Sequence, residues 1–311
     1  MSTIINVSHL SKHYKEIKAV DDISFTVNKG EVYGFLGQNG AGKSTTIRML
    51  LTLIEPTTGS IELFGMRLNS HRKEILRQVG AVIERPDLYK YLSAIENLSL
   101  FAKMSGCNRT NGQLMEQLEI VGLKNRAHSK VKTYSQGMRQ RLGLAVALIH
   151  DPQLIILDEP TNGLDPQGIA DTRNLILQLS KNHGKTILVS SHLLSEIEVI
   201  ADRMLIIDKG AKVAEGSVKD LFDPSRMLVI LHVNNPEQVL QKMQQSKWKQ
   251  YIYDNQGNSI TFQLDKKQVP ELTTALVNGG AEIVSLQPKH SLEEYFLSLT
   301  TANQHVDHFK N

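Results

Sequence analysis

The sequence has 311 residues, of which 22% are charged and 41% apolar, and its formal net charge is only +3. This length exceeds that of one typical domain, so we expect two domains with ordinary hydrophobic cores. The small net charge gives no reason to invoke nucleic acid, which is usually bound by a concentrated basic face. The single cysteine, Cys107, excludes an internal disulfide and is consistent with a reducing compartment.

Membrane insertion is not expected from the sequence either. No apolar run approaches the ~20 residues that span a bilayer, and the N-terminus lacks the apolar region of a signal peptide. We therefore expect a cytoplasmic protein whose contact with any membrane is made through a partner.

The first predicted elements lead to a glycine-rich loop at residues 37–45. Strands are predicted at residues 4–7 and 23–27, and the apolar run Val32–Leu36 forms a third strand directly before the loop. Residues 46–51 follow the loop with helical spacing. Strand, glycine loop and helix together form the context that a P-loop requires.

This loop predicts a nucleotide site. Its glycines let successive backbone N–H groups turn inward around anionic oxygens, and the helix N-terminus adds roughly half a positive charge. Lys43 is expected to reach the β- and γ-phosphates, and the Ser44 hydroxyl is expected to bind Mg²⁺. The predicted phosphate cradle consists of Gly37, Gln38, Asn39, Gly40, Ala41, Gly42, Lys43, Ser44 and Thr45.

Further along the chain, strands and helices are predicted to complete a domain of residues 1–220. Helical spacing over residues 93–123 predicts a mostly helical insert at about 88–150. The other predicted elements are a turn at 55–60, strands at 61–64, 81–83, 154–157, 186–189 and 204–207, and helices at 142–149 and 169–179.

Residues 221–311 have a different pattern and predict a second domain. Strands are predicted at 227–233, 251–254, 260–264 and 281–285, helices at 237–244, 269–277 and 292–299, and a hairpin turn at 255–258. The order β-α-β-β-α-β suggests a small ferredoxin-like α+β unit. This part of the sequence shows no catalytic constellation, which favours a structural or regulatory appendage.

Polar residues after the predicted strands suggest phosphoryl chemistry. Asp158 directly follows a buried strand, where a P-loop enzyme keeps its magnesium ligand. Glu159 is placed to act as general base on the water that attacks the γ-phosphate. His192 follows the next strand and is placed to hydrogen-bond the γ-phosphate. Tyr14, upstream of the loop, fits a core position and an adenine-stacking position equally well.

Taken together, the motifs resemble those of the nucleotide-binding subunit of ABC transporters, in family order, over residues 4–216. The resemblance implies that Tyr14 stacks on adenine, that Asp158 and Glu159 end Walker B, and that His192 is the switch histidine. Residues 162–165 resemble the D-loop, whose Asp165 is assigned to the nucleotide site. The place of the signature sequence is occupied by Ser135, Gln136, Gly137 and Met138.

The resemblance also implies a fold, an activity and partners. The expected fold is a P-loop NTPase cassette with antiparallel β and helical subdomains, followed by the ferredoxin-like unit. The expected activity is hydrolysis of ATP, with Mg²⁺, in a head-to-tail homodimer that holds two ATP molecules between its subunits. A membrane permease on a separate chain would hold the protein at the inner face of the cell membrane.

Two departures from the family pattern indicate a subgroup. The family usually has glutamine where Glu84 stands, and we expect Glu84 to keep the metal and coupling role with a different dependence on Mg²⁺. Met138 replaces a glutamine and cannot donate its hydrogen bonds, so binding there depends on backbone N–H groups and Ser135. Residues 84–86 and 134–141 resemble those of bacitracin-resistance and lantibiotic-immunity exporters, and the tail at 288–297 resembles the C-terminal extensions of drug-export ATPase subunits.

Two other functions remain open at this level. A soluble ABC ATPase acting on ribosomes or nucleic acid is one, although such proteins carry two cassettes or a long coiled coil, and this sequence has one P-loop and no sustained heptads between Lys43 and Ser135. The other is direct binding of a peptide antibiotic by residues 221–311. The transported substrate is chosen in the absent permease and cannot be read from the sequence.

Overall fold

The computed structural model describes residues 2–221 and 227–289. The chain divides into two compact units, Met1–Val218 and Lys219–Asn311. The strands of the first unit are β1 (Thr3–Tyr14), β2 (Ile17–Asn28), β3 (Val32–Leu36), β4 (Thr58–Leu63), β5 (Met66–Arg67), β6 (Val79–Val82), β7 (Leu154–Leu157), β8 (Thr186–Ser191), β9 (Arg203–Asp208) and β10 (Ala211–Ser217). Its helices are α1 (Lys43–Leu50), α2 (Arg72–Leu76), α3 (Ala94–Met104), α4 (Asn111–Ile120), α5 (Gln136–Ala147), α6 (Pro166–His183) and α7 (Leu194–Ile200). A short helix, α8 (Val218–Leu221), follows β10.

Two sheets build the first unit. One is antiparallel, in the order β2-β1-β4-β5, and the other has the order β10-β9-β3-β8-β7-β6. In the second sheet the neighbours from β9 to β6 run parallel, and β10 is antiparallel to β9. Each residue of β3 and β7 is buried, as expected for apolar strands in the middle of a covered parallel sheet. The carboxyl ends of β3, β8 and β7 therefore meet at one edge.

The helical part of the first unit begins with capped helices. Ser93 caps α3 in a capping box with Glu96, and Thr110 caps α4 in the same way with Gln113. Each capping box satisfies two backbone N–H donors that a helix start would otherwise leave unpaired, and a missing cap typically costs about 1 kcal/mol. These short polar signals fix where the helices predicted within residues 93–123 begin.

Some predicted boundaries were wrong. The predicted turn at 55–60 ends early, because β4 begins at Thr58 and pairs with β1 through Ser8–Ser60 and Ser11–Thr58. Helix α7 and strand β10 were not predicted. Strand β10 has few apolar residues and is held by its pairing with β9 at the sheet edge, a long-range contact with no local signal.

The second unit has the ferredoxin-like arrangement that its sequence predicts. Its elements are β11 (Met227–Val233), α9 (Pro236–Gln244), β12 (Ile252–Gln256), β13 (Ser259–Leu264), α10 (Val269–Asn278) and β14 (Ile283–Lys289). The antiparallel sheet order β12-β13-β11-β14 confirms the predicted fold. Val229, Phe262, Trp248 and Leu272 belong to one buried core that includes residues from the sheet and both helices.

The hairpin turn of this unit differs from its prediction, and the last predicted helix lies outside the described residues. The hairpin turn is shorter than predicted, because β12 extends through Gln256 and leaves Gly257, with φ 55°, and Asn258 as the turn. The helix predicted at 292–299 and most of the 288–297 segment lie outside the described residues. Within the described part of the chain, no helix has both the length and the apolar character needed to cross a membrane.

Candidate active site

The loop at 37–45 joins the buried strand β3 to α1 and folds too tightly for side chains at two positions. A Cβ on Gly37 would lie 2.5 Å from the carbonyl oxygen of Ile207. Gly42, with φ 107°, is the N-cap of α1, and a Cβ there would lie 2.4 Å from the carbonyl oxygen of Ala19. Close approach of a carbonyl oxygen therefore requires glycine at both positions, and at Gly42 the left-handed backbone requires it as well.

Lys43 is the first residue of α1 and is only 5% exposed. Its Nζ donates to the carbonyl oxygens of Gly37 at 2.7 Å and of Gln38 at 3.1 Å, so the side chain folds back over the loop. The same nitrogen lies 3.1 Å from Glu159 Oε1. The ammonium group is thus held at the loop, where phosphate oxygens would be bound.

Glu159 and His192 meet at the carboxyl edge of the sheet. The Nδ1 atom of His192 lies 2.7 Å from Glu159 Oε2. The Glu159 backbone has φ 49°, which is unusual for a residue with a side chain, and its N–H donates to Ser190 Oγ at 2.9 Å. A left-handed glutamate costs on the order of 1–3 kcal/mol and persists where the surroundings hold it. The structure therefore brings Lys43, Glu159 and His192 together in one cluster.

Asp158 precedes this cluster and is 1% exposed. Its Oδ1 accepts a hydrogen bond from Ser190 Oγ at 2.6 Å. In the described part of the chain, its buried Oδ2 has no hydrogen-bond partner. A buried carboxylate oxygen without a donor is costly by itself and suits a hard divalent cation. This carboxylate oxygen therefore fits the role of an Mg²⁺ ligand.

The two other predicted metal ligands lie at α1 or contact it. Ser44 is the second residue of the helix, directly after Lys43. Glu84 has φ 55° and forms an ion pair with Arg48, whose Nη2 lies 2.5 Å from Glu84 Oε1. Arg48 is one turn beyond Ser44, so Glu84 reaches the same helix but contacts a cation there.

The predicted signature segment begins α5. Ser135 is the N-cap, and its Oγ accepts from the N–H of Met138 at 3.2 Å. The preceding Tyr134 is buried, which raises the pKa of its hydroxyl, and that hydroxyl donates to the carbonyl oxygen of Arg126 at 2.7 Å. Gln136 Nε2 donates to the carbonyl oxygen of residue 162, at 3.1 Å. The segment is thus a fixed helix start in contact with the D-loop of its own chain, and Gly137 is its second helical residue.

Tyr14 and Asp165 are the remaining residues predicted to contact the nucleotide. Tyr14 is 46% exposed, and Lys12 Nζ lies 5.1 Å from its ring centroid. This exposure favours a ligand-facing ring over a core position. Asp165 is the N-cap of α6, and its Oδ1 accepts from the N–H of Gly168 at 3.1 Å.

Several polar contacts lie behind the cluster and were not predicted from the sequence. Ser190 and Ser191 end β8 and are buried, and polar residues at the end of an otherwise apolar strand were an available signal. Thr161 Oγ1 donates to Glu196 Oε2, but a sequence separation of 35 leaves no local pattern that would predict this contact. These contacts exist only once β7 and β8 lie side by side.

The parallel sheet with its P-loop, and the carboxylates and histidine at the same edge, define a P-loop nucleotide hydrolase. Residues 20–162 match the family model described as ABC transporter. The chain is 42% identical to the bacitracin transport ATP-binding protein BcrA of Bacillus licheniformis, over 96% of this chain and 98% of that protein. It is also 42% identical to the lantibiotic transport ATP-binding protein SrtF of Streptococcus pyogenes, over 68% of this chain and 90% of that protein.

A solved structure described as the ATP binding subunit of an ABC transporter is 34% identical, with a TM-score of 0.63 over 70% of this chain and 91% of that one. The chain belongs to the ATP-binding subunits of ABC transporters. It binds ATP and couples ATP hydrolysis to transport. These relatives give no support to the alternative of an ATPase acting on ribosomes or nucleic acid.

Proposed function

We propose that this chain powers an exporter that removes a peptide antibiotic or a similar drug, with the permease on a separate chain. The observation that carries the ATPase part is the cluster of Lys43, Glu159 and His192 beside the P-loop. The likeness to relatives named for bacitracin and lantibiotic transport supports the substrate class.

In this proposal the buried cluster rearranges when ATP binds. The γ-phosphate takes the place of the Glu159 carboxylate as the partner of Lys43, because both are anions competing for one ammonium group. Glu159 is then free to orient the attacking water, while Ser190 still holds its backbone N–H. His192 hydrogen-bonds the γ-phosphate. Catalysis is therefore mainly positional and electrostatic.

We assign the metal site to Ser44, Asp158 and Glu84. The unpartnered buried Oδ2 atom of Asp158 supports this assignment most directly. Bound Mg²⁺ would neutralise charge on the β- and γ-phosphate oxygens. Glu84 contacts Arg48 instead, so its contribution to the metal requires separation of that exposed ion pair, which costs less than about 1 kcal/mol.

We also propose a head-to-tail homodimer. The N-terminus of α5, capped by Ser135, presents backbone N–H groups suited to a phosphate, and in the dimer this end would cover the ATP of the partner. Met138 offers no side-chain donor and its backbone N–H already donates to Ser135 Oγ, so binding at this end would depend on the N–H groups of the first turn and on Ser135. The remaining cradle and signature residues, Gln38, Asn39, Gly40, Ala41, Thr45, Gln136 and Gly137, would contact the nucleotide mainly through their backbone.

The permease is proposed to dock near Glu84 and the helical part of the first unit, which would hold the protein at the inner face of the membrane. Tyr89, Tyr91 and Met104 support this location, because they are 52%, 78% and 67% exposed and lie in or just before α3. Large exposed apolar side chains are typical of contact surfaces.

The test compares the wild type with Glu159→Gln, with Glu119→Gln as a control that neutralises a carboxylate in an exposed ion pair with Lys124. We expect Glu159→Gln to lower ATP turnover by about 100-fold or more while ATP is still bound. Size-exclusion chromatography with ATP should then show a dimer. In cells that also carry the permease, only the wild type and the control should confer bacitracin resistance. Wild-type turnover by Glu159→Gln would remove Glu159 from the mechanism, and resistance that is independent of ATPase activity would refute the exporter.

A further inference from the structure

A buried carboxyl group behind the active site has no role in the reaction described above. Glu196 lies in the first turn of α7 and is 4% exposed. Its Oε2 accepts two hydrogen bonds, from Thr161 Oγ1 at 2.6 Å and from Ser191 Oγ at 2.9 Å. Burial of such a group is costly unless donors compensate it, and here one donor comes from the turn after β7 and the other from the end of β8.

Both of these segments adjoin groups with a proposed catalytic role. Ser191 is adjacent to His192, and its Oγ also accepts from the N–H of Leu193 at 2.9 Å, which fixes the backbone on the other side of the histidine. Thr161 is two residues after Glu159, within a turn in which the N–H of residue 162 donates to the Glu159 carbonyl oxygen at 3.1 Å. One oxygen atom of Glu196 thus joins the Glu159 turn to the His192 turn.

The Glu159 turn continues into the D-loop and touches the signature segment. The N–H of Leu164 donates to the Thr161 carbonyl oxygen at 3.1 Å, and Gln136 Nε2 donates to the Asn162 carbonyl oxygen at 3.1 Å. Gly163 has φ 72°, and a Cβ there would lie 2.8 Å from Gln136 Nε2. The contact between D-loop and signature is therefore close enough to transmit a displacement.

We propose that Glu196 is a positioning residue. It holds Glu159 and His192 at a fixed position relative to each other and links their movement to the signature segment. The inference rests on the catalytic roles and the dimer proposed above. In that dimer the signature segment of a subunit serves the partner's ATP. A shift of His192 toward one phosphate would then be passed through Ser191, Glu196 and Thr161 to the segment that binds the other nucleotide.

The experiment uses the full chain and four variants. Glu196→Gln keeps the shape and weakens the charge-assisted hydrogen bonds, and Thr161→Val removes one donor without changing the volume. The double variant tests whether the two residues act as a unit. Glu198→Gln is the matched control, because Glu198 is an exposed glutamate of the same helix. For each protein, kcat, KM for ATP, the Hill coefficient for ATP and the thermal midpoint are measured.

We expect Glu196→Gln and Thr161→Val each to lower kcat by about 10-fold or more, with KM changed by less than about twofold. The Hill coefficient should fall toward one, the thermal midpoint should stay near that of Glu198→Gln, and the double variant should be no slower than the slower single variant. If Glu196→Gln does not fold, the kinetics of Thr161→Val alone test the proposal. Wild-type kcat in Thr161→Val, or a loss of kcat that only follows a loss of thermal stability, would overturn the proposal. Glu159→Gln, measured in parallel, tests the proposed catalysis independently, because wild-type turnover there would refute the Glu159 role itself.

Discussion

Replacement of Gly143 by alanine tests how the Glu84 loop is held against the signature helix. Gly143 is a buried residue of α5, the helix that begins at the signature segment. A Cβ at this position would lie 2.5 Å from Cβ and 2.6 Å from Cγ of Pro86, two residues after Glu84. Both neighbours are ring atoms fixed to the backbone, so the loop must move to make room.

The expected change in the free energy of unfolding is the sum of two opposing effects. Glycine to alanine inside a helix normally stabilises by about 1 kcal/mol. Overpacking a filled site costs about 1–3 kcal/mol, and separations near 2.5 Å place this site at the upper end of that range. The net destabilisation of Gly143→Ala is then about 1–2 kcal/mol. In a unit of roughly 200 residues this lowers the thermal midpoint by about 2–8 °C.

The assay is thermal unfolding of the nucleotide-free protein, together with the Mg²⁺ dependence of ATP turnover. Gly112→Ala in α4 is the control, since its nearest neighbour would be 3.9 Å away, and it should raise the midpoint or leave it unchanged. We expect Gly143→Ala also to change the Mg²⁺ concentration for half-maximal turnover, because the displaced loop carries Glu84. A thermal midpoint for Gly143→Ala equal to or above that of the wild type would refute the close packing of Pro86 against α5.

Three further changes test the nucleotide and metal sites. Tyr14→Ala should weaken ATP binding by about 10-fold in a fluorescence titration, because base stacking contributes about 1–3 kcal/mol, and unchanged affinity would return Tyr14 to a structural role. Asp158→Asn should greatly raise the Mg²⁺ requirement of turnover while ATP binding in EDTA persists, and a wild-type Mg²⁺ titration would contradict the metal assignment. Glu84→Gln breaks an exposed ion pair with Arg48 and should change the free energy of unfolding by less than about 1 kcal/mol while shifting the Mg²⁺ dependence of turnover. If neither Mg²⁺ dependence nor substrate-stimulated turnover changes, Glu84 has no metal or coupling role.

Local sequence determined the elements that carry the nucleotide chemistry. The apolar runs Val32–Leu36 and Leu154–Leu157 are strands with the predicted bounds, because fully buried strands need continuous apolar residues. The glycine loop and Lys43 follow the first strand, and Asp158 follows the second. The β-α-β-β-α-β order of the second unit was also predicted from the sequence, because strand-like and helix-like spacing of apolar residues alternate there. The observed sheet order confirms it.

Tertiary structure alone decided how these pieces contact each other. The pairing of β8 with both β3 and β7 places His192 within 2.7 Å of Glu159 and Lys43 within 3.1 Å of the same carboxylate. It likewise decided that Glu84 pairs with Arg48, and that one buried oxygen of Glu196 joins the turn after β7 to the end of β8. Hydrophobic periodicity records which face of an element is buried, but not which distant polar group meets it there. That information arises only from strand order and register, which bring residues far apart in sequence to one edge of the sheet.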